Sequence, residues 1–187
     1  GPAYPPYISY IGYFGGNPIT YRTIEEEGWI PDVDNLRGKI NEKTKGILVI
    51  NPNNPTGAVY DRKTLKQIAD IAGEYGLPLI SDEIYDQLTF DVKQTPMASI
   101  VSDIPMVGFN GISKVYLAPG WRIGYVYFQD DGSELEPLRD AMVRQARIRI
   151  CTNTPTQLAA AVALRSDGSH IEGMLERLRA RRQVIWE

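Results

Sequence analysis

Cysteine and histidine are nearly absent: the 187 residues include one of each, Cys151 and His170. A lone thiol excludes an internal disulfide framework and a cysteine-built metal site, and makes a reducing, cytoplasmic setting the expectation. The lone imidazole sits in the polar run RSDGSHIEG, at a helix start or on the surface, which discounts a Ser-His-Asp triad and a histidine metal centre. Long apolar runs are missing too. No segment approaches eighteen consecutive apolar residues, and the N-terminal GPAYPPYISY has no charged region leading into an apolar one, so neither a membrane span nor an export signal is expected. Charge of one sign is also lacking. Twenty basic against twenty-three acidic residues leave −3, which gives no global field for nucleic acid or an anionic membrane. The arginines at 177, 179, 181 and 182 read as a solvated helix face.

What is present is an alternation of short apolar runs and turn chemistry. GILVI (46–50), LPLI (77–80), MVGFN (106–110) and IGYVYF (123–128) read as buried strands. Between the first two a helix is expected, capped by Asp61, with Leu65, Ile68, Ala69, Ala72 and Tyr75 at helical spacing and Gly76 as the left-handed residue after its end. The first strand-to-strand interval is about 30 residues, the length of a strand, a crossover helix and a parallel strand, and the second is slightly shorter. The 81–106 connection shows no clear helix. Beyond 133 three helical segments follow: SELEPLRDAMVRQARIRI, TPTQLAAAVAL and IEGMLERLRARRQVIWE, the last running to Glu187 without a cap, as in a truncated chain. The expected fold is α/β, a three-layer α/β/α arrangement around a mostly parallel sheet, with ligands bound beyond the carboxyl ends of the strands.

Those strand ends carry polar groups. Asn51, Asn53 and Asn54 follow the first strand in NPNNPTGAVY, Asp82 and Tyr85 follow the second in SDEIY, and Lys114 follows the third in GISK. Arg122 lies eight residues further on. Singly, each has an ordinary reading: a turn-forming amide, a helix cap, a surface ammonium, a salt-bridge partner. Together, an amine nucleophile, a carboxylate, amide and phenol donors and a guanidinium would hold a phosphorylated pyridine aldehyde.

In that order and at these separations, NPNNPTG, SDEIY, SK and GWRIGY resemble the fold type I pyridoxal-phosphate enzymes, most closely the aspartate and alanine aminotransferases. The resemblance runs over essentially the whole chain. It implies that Lys114 forms the Schiff base with pyridoxal 5′-phosphate and then shuttles the proton between the substrate α-carbon and the cofactor. It implies that Asp82 pairs with the pyridine nitrogen, that Asn54 and Tyr85 hydrogen-bond the phenolic oxygen, and that Arg122 clasps the phosphate. Tyr4, before the first proline of the pair in GPAYPPY, falls where the family stacks a ring on the cofactor. Many relatives carry a hydroxyl residue three before the lysine where this chain has Gly111, and the resemblance then makes Ser113, directly before the lysine, a candidate phosphate contact. The resemblance also implies that Asn54 meets the substrate carboxylate and that its peptide to Pro55 is cis.

The activity so implied is transfer of an amino group between an aspartate- or alanine-like amino acid and a 2-oxo acid such as 2-oxoglutarate. The expected partners are those small molecules, with no nucleic acid or membrane, and a homodimeric parent. Residues 1–150 are expected to form the cofactor-binding core of the large domain, and 151–187 a helical segment leading to a small domain. The arginine for the substrate carboxylate and the N-terminal phosphate turn lie outside this chain, which implies a fragment poorly active alone. Carbon–sulfur β-lyases and aminocyclopropane-carboxylate synthases share the cofactor residues, as do the aminotransferase-like domains that sense pyridoxal phosphate in transcription regulators.

Overall fold

The alternating apolar runs fold into an α/β structure, and a computed structural model describes residues 1–186 of it. In chain order the elements are α1 (Pro5–Tyr13), β1 (Thr23–Ile24), β2 (Ile30–Pro31), α2 (Val33–Arg37), β3 (Ile47–Ile50), α3 (Arg62–Glu74) and β4 (Leu79–Asp82). They continue with β5 (Met106–Gly111), β6 (Gly124–Gln129), α4 (Glu136–Ile148), α5 (Thr154–Leu164) and α6 (Ser169–Trp186). The expected run of the last helix to Glu187 lies outside the described residues.

β1 and β2 form a small antiparallel ladder, and the main sheet has the order β3-β4-β5-β6. The first three strands are parallel, with Ile50 paired to Asp82 and Asp82 to Phe109, so β3 and β4 end level and β5 runs on past Phe109 to Gly111. β6 returns antiparallel to β5, Gly111 opposite Gly124. The connection between those two strands holds a 3₁₀ turn at Pro119–Trp121 and no α-helix, and the chain doubles back along β5. The strands therefore follow chain order, and their common end is an open polar edge.

Strand alternation decides which side chains meet α3. Ile47, Val49, Leu79 and Met106 point to one face and join Leu65, Ile68, Ala69 and Ala72 of α3 in the main hydrophobic cluster. Val49, Leu65, Ile68 and Leu79 are all at 0% exposure, so truncating any of them to alanine would cost about 2–5 kcal/mol. The ends of α3 are set as expected. The Asp61 carboxyl accepts from the Thr64 amide at 2.7 Å, and Gly76 takes φ +60° after the last turn. Tyr75 departs from the expected stripe: it is the C-terminal cap residue and stays 43% exposed.

The 81–106 connection is irregular apart from one 3₁₀ turn at Met97–Ser99, as its sequence suggests. The helix α1 had no clear sequence signature. Its two prolines occupy the first turn, where a missing amide hydrogen costs nothing because no intrahelical acceptor exists for it. α5 and α6 support the loop after β5: Ile112 and Ala118 pack with Ala160, and Val115 with Ile171 and Met174.

Candidate active site

At the carboxyl ends of β3, β4 and β5 lies a cavity of about 280 Å³. It is lined by Tyr4, Asn54, Asp82, Tyr85, Ser113, Lys114 and Arg122, together with Ile50, Ile84, Phe109, Asn110 and Pro119. Every residue for which the family resemblance implies a cofactor contact is in this wall, brought from four separate stretches of chain, whereas Asn51 and Asn53 are not.

Each arrives by a local device. The NPNN turn is held by its own amides: Asn51 Oδ1 accepts from the Tyr60 amide at 2.9 Å, and Asn53 Oδ1 accepts from the Thr56 hydroxyl at 2.9 Å. Asn51 and Asn53 thus close the turn, while Asn54 is left on the cavity. The Asn51–Pro52 and Asn54–Pro55 peptides are both cis. Asp82, only 9% exposed, is the last residue of β4, and its Oδ1 accepts from the Ile84 amide at 3.1 Å. Lys114 stands between buried Ile112 and Val115, each 1% exposed, so its backbone is pinned by the packing on α5 and α6. Its Nζ lies 5.5 Å from the centre of the Tyr85 ring.

The segment from Lys114 to Arg122 contains two non-glycine residues in the left-handed region, Leu117 at φ +51° and Arg122 at φ +54°. Such a conformation costs an L-residue about 1–2 kcal/mol. It persists because Ala118 and Val115 anchor the loop from below and Arg122 Nη1 donates to the Pro119 carbonyl at 2.8 Å. One of five guanidinium hydrogens is used in that bond. Two cationic side chains against one carboxyl group make the cavity suited to an anionic ligand.

Gly111, where a hydroxyl residue is common in the resembled family, has a steric cause. A β-carbon there would lie 3.0 Å from Gly124 Cα and from the Ile123 carbonyl, so a side chain at this position requires β5 and β6 to part by a few tenths of an ångström. Ser113 is on the cavity wall instead.

The aminotransferase class I and II family model matches residues 1–187. The chain belongs to the class I and II aminotransferases. Among curated members it is 39% identical to the alanine aminotransferase of Mycobacterium tuberculosis, over 99% of this chain and 44% of that protein. It is 34% identical to the glutamate-pyruvate aminotransferase of Escherichia coli, over 100% of this chain and 47% of that one. Among solved structures, the alanine aminotransferase from Pyrococcus furiosus superposes with a TM-score of 0.96 at 51% identity, covering 99% of this chain and 47% of its own. The chain thus spans a little under half the length of these aminotransferases.

One polar neighbour of this aminotransferase site was not found from the sequence. The Tyr7 hydroxyl donates to Asp82 Oδ2 at 2.5 Å, across 75 residues of chain. Burial first, and then the hydrogen bond to Asp82, hold the Tyr7 phenol well above the usual tyrosine range. Tyr7 follows Tyr4 by three positions, the spacing that puts two side chains on one face of a helix, but only a recognised α1 gives that spacing meaning. Asn110 was missed as well. Its amide Nδ2 donates to Asp86 at 2.9 Å, and burial raises the Asp86 carboxyl above its ordinary range. His170 starts α6 and stacks on Tyr116 at 5.1 Å between ring centres, outside the cavity lining. No helix among the described residues is long and apolar enough to cross a membrane.

Proposed function

We propose that this chain is the cofactor-binding core of a pyridoxal 5′-phosphate-dependent aminotransferase that exchanges the amino group of an alanine- or aspartate-like amino acid with a 2-oxo acid such as 2-oxoglutarate. The observation that carries the reading is the single cavity in which Lys114, Asp82, Asn54, Tyr85, Arg122, Ser113 and Tyr4 meet. That donor set fits the cofactor group by group: an amine for an aldehyde, a carboxyl for a ring nitrogen, amide and phenol for a phenolic oxygen, a guanidinium and hydroxyl for a phosphate.

When bound, the cofactor supplies an electron sink for the charge left at the substrate α-carbon. The residues of the chain do the rest. Lys114 is the amine that would hold the cofactor at its aldehyde and the base that would carry a proton to and from the substrate α-carbon. Asp82 keeps the ring nitrogen protonated by pairing its negative charge with that N–H. Asn54 and Tyr85 donate to the phenolic oxygen and fix the plane of the ring, and Asn54 also meets the substrate carboxylate. Arg122 and Ser113 anchor the phosphate, and the Tyr4 ring covers one face. In this reading residues 1–150 are the large-domain core and 151–187 lead toward a small domain. Two copies assemble, and the poverty in cysteine suits a cytoplasmic setting.

The test is borohydride reduction of the full-length protein after loading with pyridoxal phosphate, followed by peptide mass mapping. A reduced adduct on Lys114, absent in Lys114→Ala, is expected; no adduct on the full-length protein overturns the proposal. Incubation with alanine or aspartate and 2-oxoglutarate should then yield glutamate. Release of pyruvate and a thiol from a sulfur-containing amino acid without an acceptor would instead make it a β-lyase.

A further inference from the structure

We propose that Tyr7 is a positioning residue for the ring-nitrogen partner Asp82, holding its carboxyl group in the one orientation that serves the cofactor; this rests on the cofactor reading above. The geometry is specific. The Asp82 carboxyl is gripped at both oxygens, Oδ2 by the Tyr7 hydroxyl at 2.5 Å and Oδ1 by the Ile84 amide at 3.1 Å. A carboxylate offers about four lone-pair sites, so two remain after these bonds. The two grips fix the plane of the group and leave the remaining sites for a donor in the cavity that Asp82 lines.

Tyr7 is well placed to transmit this constraint. Its ring meets that of Tyr4 edge-on, with 6.0 Å between centres, and its amide donates to the Tyr4 carbonyl at 3.2 Å. Tyr4 itself lines the cavity. No residue of α1 is fully buried, so packing alone does not hold the helix against the sheet. Among the described residues the Tyr7 hydroxyl makes the side-chain hydrogen bond that ties α1 to the end of β4. The same bond therefore ties together the carboxyl group that would pair with the ring nitrogen and the aromatic side chain that would cover the ring.

Removing the hydroxyl lets the Asp82 carboxyl turn about its last torsion. Alignment with the ring nitrogen is then lost part of the time, and the nitrogen holds its proton less fully. The test is nitrogen-15 NMR of the full-length protein loaded with pyridoxal phosphate labelled at the ring nitrogen. In Tyr7→Phe the signal should move toward that of unprotonated pyridine, and the cofactor dissociation constant should rise about tenfold, the usual scale for a hydrogen bond to a charged group. Tyr10→Phe, on the same helix and 65% exposed, should leave both unchanged. In an Asp82→Asn background, Tyr7→Phe should add nothing, because its effect runs through that carboxyl. As a probe that keeps the ring and the hydroxyl, 3-fluorotyrosine at position 7 should show a fluorine signal that moves on loading and again in Asp82→Asn.

A wild-type protein that carries cofactor on Lys114, together with an unmoved ring-nitrogen signal in Tyr7→Phe or an unmoved fluorine signal, overturns the role of Tyr7 while leaving the function intact. Failure of the wild type to load any cofactor overturns both.

Discussion

Gly108 is the position where one added methyl group should do most damage. A β-carbon there would lie 2.0 Å from Tyr127 Cζ and 2.5 Å from its hydroxyl oxygen, against the roughly 3.5–4 Å that carbon contacts require. Gly108 and Tyr127 are paired across β5 and β6, and the Tyr127 ring lies over the glycine to donate to Glu83 Oε2 at 3.0 Å. Gly108→Ala must therefore push the ring aside and break that bond. Overpacking costs about 1–3 kcal/mol, and leaving a buried acceptor without its donor about 1–3 more. Alanine in a strand returns about 0.5–1 kcal/mol of backbone entropy. The expected net loss is about 1–5 kcal/mol, read as a fall in the urea midpoint at unchanged slope. Tyr127→Phe keeps the ring and should cost only about 1–2 kcal/mol. With the ring removed in Tyr127→Ala, adding Gly108→Ala should cost almost nothing further. A Gly108→Ala protein within about 0.5 kcal/mol of wild type, smaller than either cost term, would refute the reasoning.

Two further outcomes follow from the cap of α3 and from the close approach of β5 and β6. Asp61→Ala should lower stability by about 1 kcal/mol at neutral pH, the usual scale for a lost helix cap. The Thr64 amide, and then its hydroxyl, hold the Asp61 carboxyl below its ordinary value of 3.8. Its stabilisation is therefore complete above that value and is lost as pH falls through the lowered one, so wild-type and variant denaturation curves should converge in strong acid. Gly111→Ser places a β-carbon 3.0 Å from two backbone atoms and should cost about 1–3 kcal/mol without tightening cofactor binding. Tighter binding at undiminished stability would mean that the strands can part to admit a hydroxyl.

The strands and α3 were legible because burial on one or both faces leaves apolar runs that only a sheet or a helix stripe explains. Asn54, Asp82, Tyr85, Ser113 and Lys114 were legible as candidates because they follow such runs, and ligands bind at strand ends in this architecture, whereas Tyr4 and Arg122 follow no such run. The antiparallel return of β6 was not read from the sequence, because an apolar run carries no mark of strand direction. Nor was α1. Its residues are apolar on all sides and none is fully buried, so no stripe marks a buried face. Tyr7 was hidden with it, since its partner lies 75 residues away and one tyrosine among eleven carries no local mark.

The pair Asp82-Glu83 shows why a local reading of charge falls short. Read as sequence, two adjacent acids form one negative spot. Strand alternation at the end of β4 splits them. Asp82 turns toward Tyr7 and the cavity, whereas Glu83, 5% exposed, turns toward α3 and accepts from the Ser81 hydroxyl, the Met97 amide and the Tyr127 hydroxyl. Three donors make so buried a carboxyl group tolerable and at the same time fasten the 3₁₀ turn and β6 to the end of β4. The backbone that carries Asp82 is thereby clamped from the face opposite the cavity, while Tyr7 sets its side chain from the cavity face. A carboxyl group placed for a ring nitrogen needs both: a fixed strand end decides where it starts, and the phenol decides where it points.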